Sequence, residues 1–342
     1  MRASLSTQTP PTHRTRRRIL STPAMLSTPA TFRRARPSSP HPFLFLALAL
    51  ALAAAPAAAH AQSLFPDVRP FPPLLADPHE VRLAAGLAWT DLFDPDNPTP
   101  ERPPFSFRDP DDVRRDLQGM VSLGGTLPLW GSDEDDDTSA VYRLAVQAGV
   151  FARFRIEEPS RDYAASDWTV ALPFEWAKGP LETRARILHR SSHLGDELIF
   201  QTDARRIEYG HEAIDFVVGY RVVPSTRLYG GGAWIFRSNT EGEPLLLLRG
   251  LDIEDRLALQ VGFDGEWALR DDGRLNAVAG VDWQAAQRTG WDSQISAVLG
   301  LATRGPGGGL KLVLRYFNGP SALGQFFLTK ESYWAIEAIA IP

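Results

Sequence analysis

The stretch Leu188-His189-Arg190-Ser191-Ser192-His193-Leu194-Gly195-Asp196-Glu197 gathers two histidines, two serines and two carboxylates into ten residues. Groups of these types can carry acid–base or nucleophilic chemistry. Just before and into it, Leu181, Thr183, Ala185, Ile187, His189 and Ser191 alternate with Glu182, Arg184, Arg186, Leu188 and Arg190. A strand turns successive side chains to opposite faces, so His189 and Ser191 stand side by side on the more apolar face. An imidazole so placed can take the serine proton while a carboxylate orients its other ring nitrogen. Candidate orienters are Asp196, Glu197, Glu208 and Glu212, with His211 on the next strand. A reading without chemistry is also available. Arg190, Ser192, His193, Asp196 and Glu197 would then form a hydrogen-bonded rim network that orders a loop, because ion-pair networks share the composition of sites.

No cofactor or metal is expected. The spacing of His193, Asp196 and Glu197 is not diagnostic of a metal. Tyr229-Gly230-Gly231-Gly232-Ala233-Trp234 lacks the Lys-Ser/Thr that a phosphate-cradling loop requires, so its glycines read as a strand passing close to bulky neighbours. Asn318-Gly319-Pro320-Ser321-Ala322-Leu323-Gly324-Gln325-Phe326-Phe327 reads as a structured turn on a loop able to approach the rim near His189.

The scaffold that must position these residues shows period-two segments of about ten residues, the length a tilted membrane strand needs. The first sets Val81, Leu83, Ala85, Leu87 and Trp89 on one face, starting from Glu80. Another sets Trp168, Val170, Leu172, Phe174 and Trp176 against Asp167, Thr169 and Glu175, with a tryptophan at each end of its apolar face. Similar alternation runs through 140–154, 257–269, 275–283, 295–301, 310–316 and 334–340. Short turns at 177–180, 222–225 and 270–273 alternate with longer connections at 91–115, 156–166, 191–205, 238–255 and 318–331. Short turns at one end, long loops at the other and aromatic girdles predict an all-β, antiparallel up-and-down outer-membrane β-barrel of about 12 strands. Its lumen would be lined by Glu175, Arg184, Arg186, Asp264, Glu266, Asp282 and Arg315. A barrel of this size fills much of its interior with side chains.

Residues 1–61 differ from the rest. They hold eight arginines, no acid and an apolar run from Phe43 to Ala59 broken only by Pro56, ending in Ala59-His60-Ala61. That is the pattern of a Sec-type signal peptide cleaved before Gln62, with Met25 as an alternative start. Residues 62–78, with Pro66, Pro70, Pro72, Pro73 and Pro78, read as a proline-rich periplasmic lead-in, and 79–342 as the barrel domain. Without the leader, 28 basic residues remain against 41 acidic ones. That balance argues against nucleic acid, whose phosphates call for basic patches. The absence of cysteine excludes disulfides and thiolate chemistry.

Several segments together resemble the domain-of-unknown-function 1207 family. They are Leu74-Leu75-Ala76-Asp77-Pro78 before the first strand, His189 to Glu197, Tyr229-Gly230-Gly231-Gly232, and Gly319 to Phe327. The resemblance implies a bacterial, exported outer-membrane barrel and assigns no functional residue. The His189-x-Ser191 pair alone resembles the strand-borne His/Ser pair of outer-membrane phospholipase A and lipid A deacylases, which attacks lipid esters. Here Ser192-His193 follows the serine instead of the phospholipase's Asn-Gly. The expected function is a non-enzymatic outer-membrane scaffold or narrow path for a small solute, with membrane lipid as neighbour. The alternatives are a lipid-ester hydrolase using Ser191 and His189, and a soluble periplasmic β-protein that binds a ligand.

Overall fold

The computed structural model describes residues 62–93, 116–132, 140–157, 161–201, 206–239 and 256–341. The leader expected over 1–61, the acidic turn at 133–137 and the apolar stretch at 244–255 lie outside the described residues. A short strand, β1 (Gln62–Leu64), precedes twelve long ones: β2 (Ala84–Thr90), β3 (Asp116–Ser132), β4 (Val141–Arg155), β5 (Tyr163–Lys178), β6 (Leu181–Leu194), β7 (Tyr209–Val223), β8 (Thr226–Ser238), β9 (Leu257–Ala268), β10 (Leu275–Ala286), β11 (Ser293–Gly305), β12 (Gly308–Pro320) and β13 (Lys330–Ile341). From β2 to β13 each strand pairs antiparallel with its neighbours in sequence, and β13 pairs back onto β2 through Tyr333↔Thr90 to Ile339↔Ala84. The sheet therefore closes into a twelve-stranded up-and-down barrel, which leaves no open edge except where β1 adds to the end of β3.

The connections after β5, β7, β9 and β11 are tight turns, and they define one end of the barrel. Those after β2, β4, β6, β8 and β12 are longer and define the other. After β6 the chain makes a single short helix, α1 (Asp196–Gln201).

Alternation decides which residues meet the exterior. Leu123, Leu127, Val170, Leu172, Ile187, Phe216, Leu259, Val261, Leu299, Leu301, Leu312 and Ile336 are all exposed. Aromatic rings frame this band. At the loop end, Trp89, Trp334 and Tyr316 stand in register across three adjacent strands. At the turn end, Tyr142 is the partner of Trp176, and Trp130 lies 5.0 Å from Tyr142. A soluble protein would leave this apolar belt in water; a bilayer makes it the stable surface.

The interior is polar and paired. Arg143 meets Glu175 at 2.7 Å, Arg186 meets Asp215 at 2.8 Å, and Arg315 meets Glu337 at 2.6 Å. Arg227 bridges Glu182 at 2.6 Å and Asp264 at 2.7 Å. The seven residues expected along the lumen all sit on inward positions of their strands, six of them in ion pairs with a carboxylate or a cation. The exception, Asp282, accepts hydrogen bonds from Tyr229, Gln260 and Gln284.

The proline-rich stretch takes a course different from the one expected. It is extended, as prolines dictate, but it runs inside the barrel instead of leading up to it. After β1 anchors the chain at the turn end, residues 65–83 rise through the lumen and return to start β2. Prolines deprive a strand of ladder donors, so between its end residues Phe65 and Leu83, which bond to β3 and β13, the segment pairs with no strand and exposes carbonyls that arginines can reach. Arg227 donates to the carbonyls of Pro72 and Pro73, and Arg315 donates to that of Ala76. Phe71 lies beneath the guanidinium groups of Arg184 and Arg227, at 4.7 and 5.0 Å. Phe71 and Leu74 pack on Val217 and Tyr229, while Leu75 and Ala76 pack on Val278, Val298 and Val313.

At the apex, Asp77 makes a tight turn, accepting from the backbone N–H of His79 on its side chain and from that of Glu80 on its carbonyl. Glu80 then takes a two-pronged bond from Arg184, at 2.8 and 3.0 Å. The first strand accordingly begins at Ala84, and Val81 points inward rather than sharing the face of Leu83 and Leu87. Gly124 and Gly149 make room for it: a Cβ at Gly124 would come within 2.6 Å of the Val81 side chain.

The loop after β12 closes the other end. Ser321, Leu323, Gly324, Gln325, Phe326 and Phe327 are all buried. The backbone N–H of Gly324 donates to both oxygens of Asp167, at 3.0 Å each. Gln325 ties Ser192 to Ile207, accepting from Ile207 N–H and donating to both carbonyls. Phe326 and Leu323 pack with Phe93, Leu194 and Leu198, so α1 is held by the same apolar cluster. The stretch expected as a structured turn is therefore a cap folded over the lumen.

Candidate functional site

Strand β6 places the rim candidates on two faces. His189, Ser191 and His193 point outward, whereas Arg190 and Ser192 point into the barrel. The pairing Val170↔His189↔Glu212 aligns three strands at one level, directly below the level of Trp168↔Ser191. Glu212 is the orienter that β7 delivers, its Oε1 lying 3.2 Å from His189 Nδ1. Arg237 on β8 adds a guanidinium 3.8 Å from the other carboxylate oxygen. The result is a polar island set into the outer apolar band at the loop-end girdle. Among the described residues no hydrogen bond joins Ser191 to His189.

The other candidate orienters go elsewhere. Asp196 and Glu197 are exposed in the first turn of α1, and Glu208 is exposed in the connection to β7. The proposed rim network is split by the strand's alternation. His193 takes a bond from Arg206 at 2.9 Å outside, Arg190 donates to Thr169 inside, and Ser192 accepts from the N–H of Gln325 inside. Among the described residues no cluster of three His, Asp or Glu side chains could hold a metal.

Inside the barrel, above the apex of the lumenal segment, lies a cavity of about 150 Å³. Asp77 and His79 form its floor, Arg186, Arg190 and His211 part of its wall, and Arg288 and Pro320 its upper border. Strand alternation explains the wall: Arg186, Arg190, His211 and Asp215 all occupy inward positions of β6 and β7. His79 Nε2 lies 2.6 Å from the carbonyl oxygen of Ala322, which joins the apex to the cap. Gln260 and Gln284 donate to Asp77 from β9 and β10. A smaller cavity of about 60 Å³ lies on the other side of the segment, bordered by Arg82, Arg153 and Tyr333.

Sequence reasoning did not single out Asp77, His79, Glu80 or Arg288 as site residues, because all four lie outside the alternating strands. One sequence signal was available: the buried arginines Arg184, Arg227 and Arg315 need acceptors, and backbone carbonyls of a proline-rich segment supply them.

Comparison with known proteins returns a family and several folds. The model of the family described as "Protein of unknown function (DUF1207)" matches residues 46–340. No curated protein matches the chain. Among solved structures, outer membrane phospholipase A from Escherichia coli is similar at 12% identity, covering 76% of this chain and 89% of that one, with a TM-score of 0.48. The Salmonella typhi outer membrane phospholipase, solved as a dimer with bound calcium, is similar at 10% identity over 76% of this chain and 90% of that one, TM-score 0.46. The KdgM porin is similar at 4% identity over 76% and 98%, TM-score 0.37.

Proposed function

The chain belongs to the DUF1207 family, and from that premise we propose that it is an outer-membrane β-barrel whose filled lumen makes it a scaffold rather than an open pore. The observation that carries this reading is the lumenal course of residues 65–83 inside a barrel whose exterior is apolar. The segment bonds to inward residues of β6, β8, β9, β10 and β12, that is, to every strand from β6 round to β12 apart from β7 and β11. It packs on β7 and β11 through Val217 and Val298. Sequestering these arginines on carboxylates and carbonyls removes the mobile charges that a conducting lumen would present. Residues 1–61 act in this reading as the cleaved export signal, and the belt of Leu and Val contacts membrane lipid.

Fractionation and planar-bilayer recording test it together. The protein should sediment with outer membranes, require detergent for release and leave bilayer conductance at baseline. Recovery in the soluble periplasmic fraction without detergent would overturn the location and favour a soluble ligand-binding protein. Stepwise conductance would overturn the sealed lumen.

A second reading is a lipid-ester hydrolase, favoured by one observation: the His189–Glu212 bond on the outward face, with Ser191 two residues along. Ser191 would be the nucleophile, His189 the base and Glu212 its orienter. Fatty-acid release from phospholipid vesicles should then vanish in Ser191→Ala and fall in Glu212→Ala. Release that survives Ser191→Ala would refute this reading.

A further inference from the structure

We propose that the larger lumenal cavity is a binding site for a small oxyanion, held between Arg190, Arg288 and His211. The proposal deepens the sealed-barrel reading and rests on it, since it gives the filled lumen a ligand instead of a path.

The cavity has room. Its volume of about 150 Å³ is roughly ten times the 10–15 Å³ that one water needs on the same measure. Its walls are chemically biased. Three carboxylates line it, and two of them are already matched with cations: Asp215 with Arg186, and Asp292 with Lys330. The third, Asp77, is satisfied by three neutral donors, the N–H of His79 and the amides of Gln260 and Gln284. Against that single unmatched carboxylate stand two guanidinium groups with no carboxylate partner among the described residues. Arg190 donates to the Thr169 hydroxyl, and Arg288 lies over the rings of Tyr209 and Phe327 at 5.1 and 5.5 Å.

An independent observation points to a missing acceptor. His211 is 5% exposed and borders the same cavity, and its Nδ1 has no hydrogen-bond partner among the described residues. Buried polar nitrogens are nearly always paired, and both Arg190 and Arg288 are within electrostatic reach of this ring. The observed ring shields this nitrogen, so a turn of the imidazole towards the cavity would be needed for it to donate, with its proton on Nδ1, to an oxygen that the two guanidinium forks also bind. Planar forks suit the paired oxygens of phosphate or a carboxylate.

The test uses the full chain in detergent, titrated calorimetrically with inorganic phosphate, with succinate as a carboxylate and with choline as a cationic control. Saturable binding of one phosphate or one succinate per chain, with none for choline, is the expected result. Arg190→Met and Arg288→Met should each weaken it roughly tenfold or more, the loss of a charge-assisted hydrogen bond. Arg288 borders the opening of the cavity, so its variant keeps the test usable where Arg190→Met fails to fold, as judged by heat-modifiable gel migration. His211→Phe, which keeps the ring and removes the donor, should also weaken binding. Absence of saturable binding to the folded wild type, or binding that is unchanged in Arg288→Met and His211→Phe, would overturn the proposal. Flat conductance without binding would remove this inference and leave the sealed barrel standing. Stepwise conductance would instead remove the sealed barrel itself.

Discussion

Glu80→Ala is the perturbation that most directly interrogates the lumenal segment. Both Glu80 and Arg184 have side chains only 1% exposed, and they are joined by two bonds of 2.8 and 3.0 Å. The nearby carboxylate of Glu175 is already engaged by Arg143 at 2.7 Å. Removing Glu80 would leave Arg184 buried and without its carboxylate, its Nε already lacking a partner among the described residues. Breaking one side of a buried pair costs about 3–5 kcal/mol, or roughly two to four orders of magnitude in the unfolding equilibrium.

The protein has two ways to meet that cost: accept it, or lift the segment out and let water reach Arg184. Lifting would expose Phe71, Leu74, Leu75 and Val81, all buried. At about 1.5–3 kcal/mol each, these side chains are worth about 6–12 kcal/mol, an upper estimate that still exceeds the cost of the broken pair. The segment should therefore stay in place. Glu80→Ala is expected to lower the urea midpoint of unfolding in lipid vesicles while conductance remains flat. The double variant Glu80→Met/Arg184→Met should recover to within about 1 kcal/mol of wild type, because well-packed apolar replacement of a buried pair is often neutral. Wild-type stability of the single variant, or a double variant no better than the single, would refute this reasoning.

Two further substitutions probe the exterior and the cap. Leu299→Arg, in the middle of β11 at a position 65% exposed, should cost about 2–4 kcal/mol in a bilayer. In a protein surrounded by water the same change would be close to neutral, so unfolding of the variant from vesicles separates the two surroundings. Gly195→Ala should disrupt the junction between β6 and α1, since its Cβ would fall 1.7 Å from the carbonyl oxygen of Tyr163. The expected loss is at least the roughly 1–3 kcal/mol of an overpacked site, read as earlier proteolysis of the loop-end cap.

The barrel was legible because its signals are periodic and redundant. Trp168 to Trp176 shows both the alternation and the spacing of the girdles in nine residues, and closure adds only pairings that alternation already permits. The alternation of β6 likewise set His189 and Ser191 outward and Arg184 and Arg186 inward. Composition misled where residues were close in sequence but not in space. His193 and Ser192 are adjacent, yet a strand turns them to opposite faces, so no single network could include both. The lumenal segment was illegible for a different reason. An extended, proline-rich chain has no period of its own, and it reads the same outside a barrel as within one. Only its partners, spread from Glu80–Arg184 to Ala76–Arg315, place it.

The pairing of β13 with β2 spans seven residue pairs, whereas β12 and β13 share twelve. This short seam joins the two ends of the barrel sequence, so its contacts lie across the longest loop and are the last to repay their entropy during folding. Residues 65–83 precede β2 directly and touch both sides of the join: on one, Ala76 through its carbonyl to Arg315 on β12 and Arg82 3.9 Å from Glu337 on β13; on the other, Arg82 through its carbonyl, which accepts from Ser122 on β3. The same stretch that occupies the interior thus works as a clasp on a short zip in the wall, no longer than the seven pairs that β2 shares with β3. Its docking and the circularisation of the sheet become one cooperative event, and a barrel that closed without it would hold its ends together by those seven pairs alone.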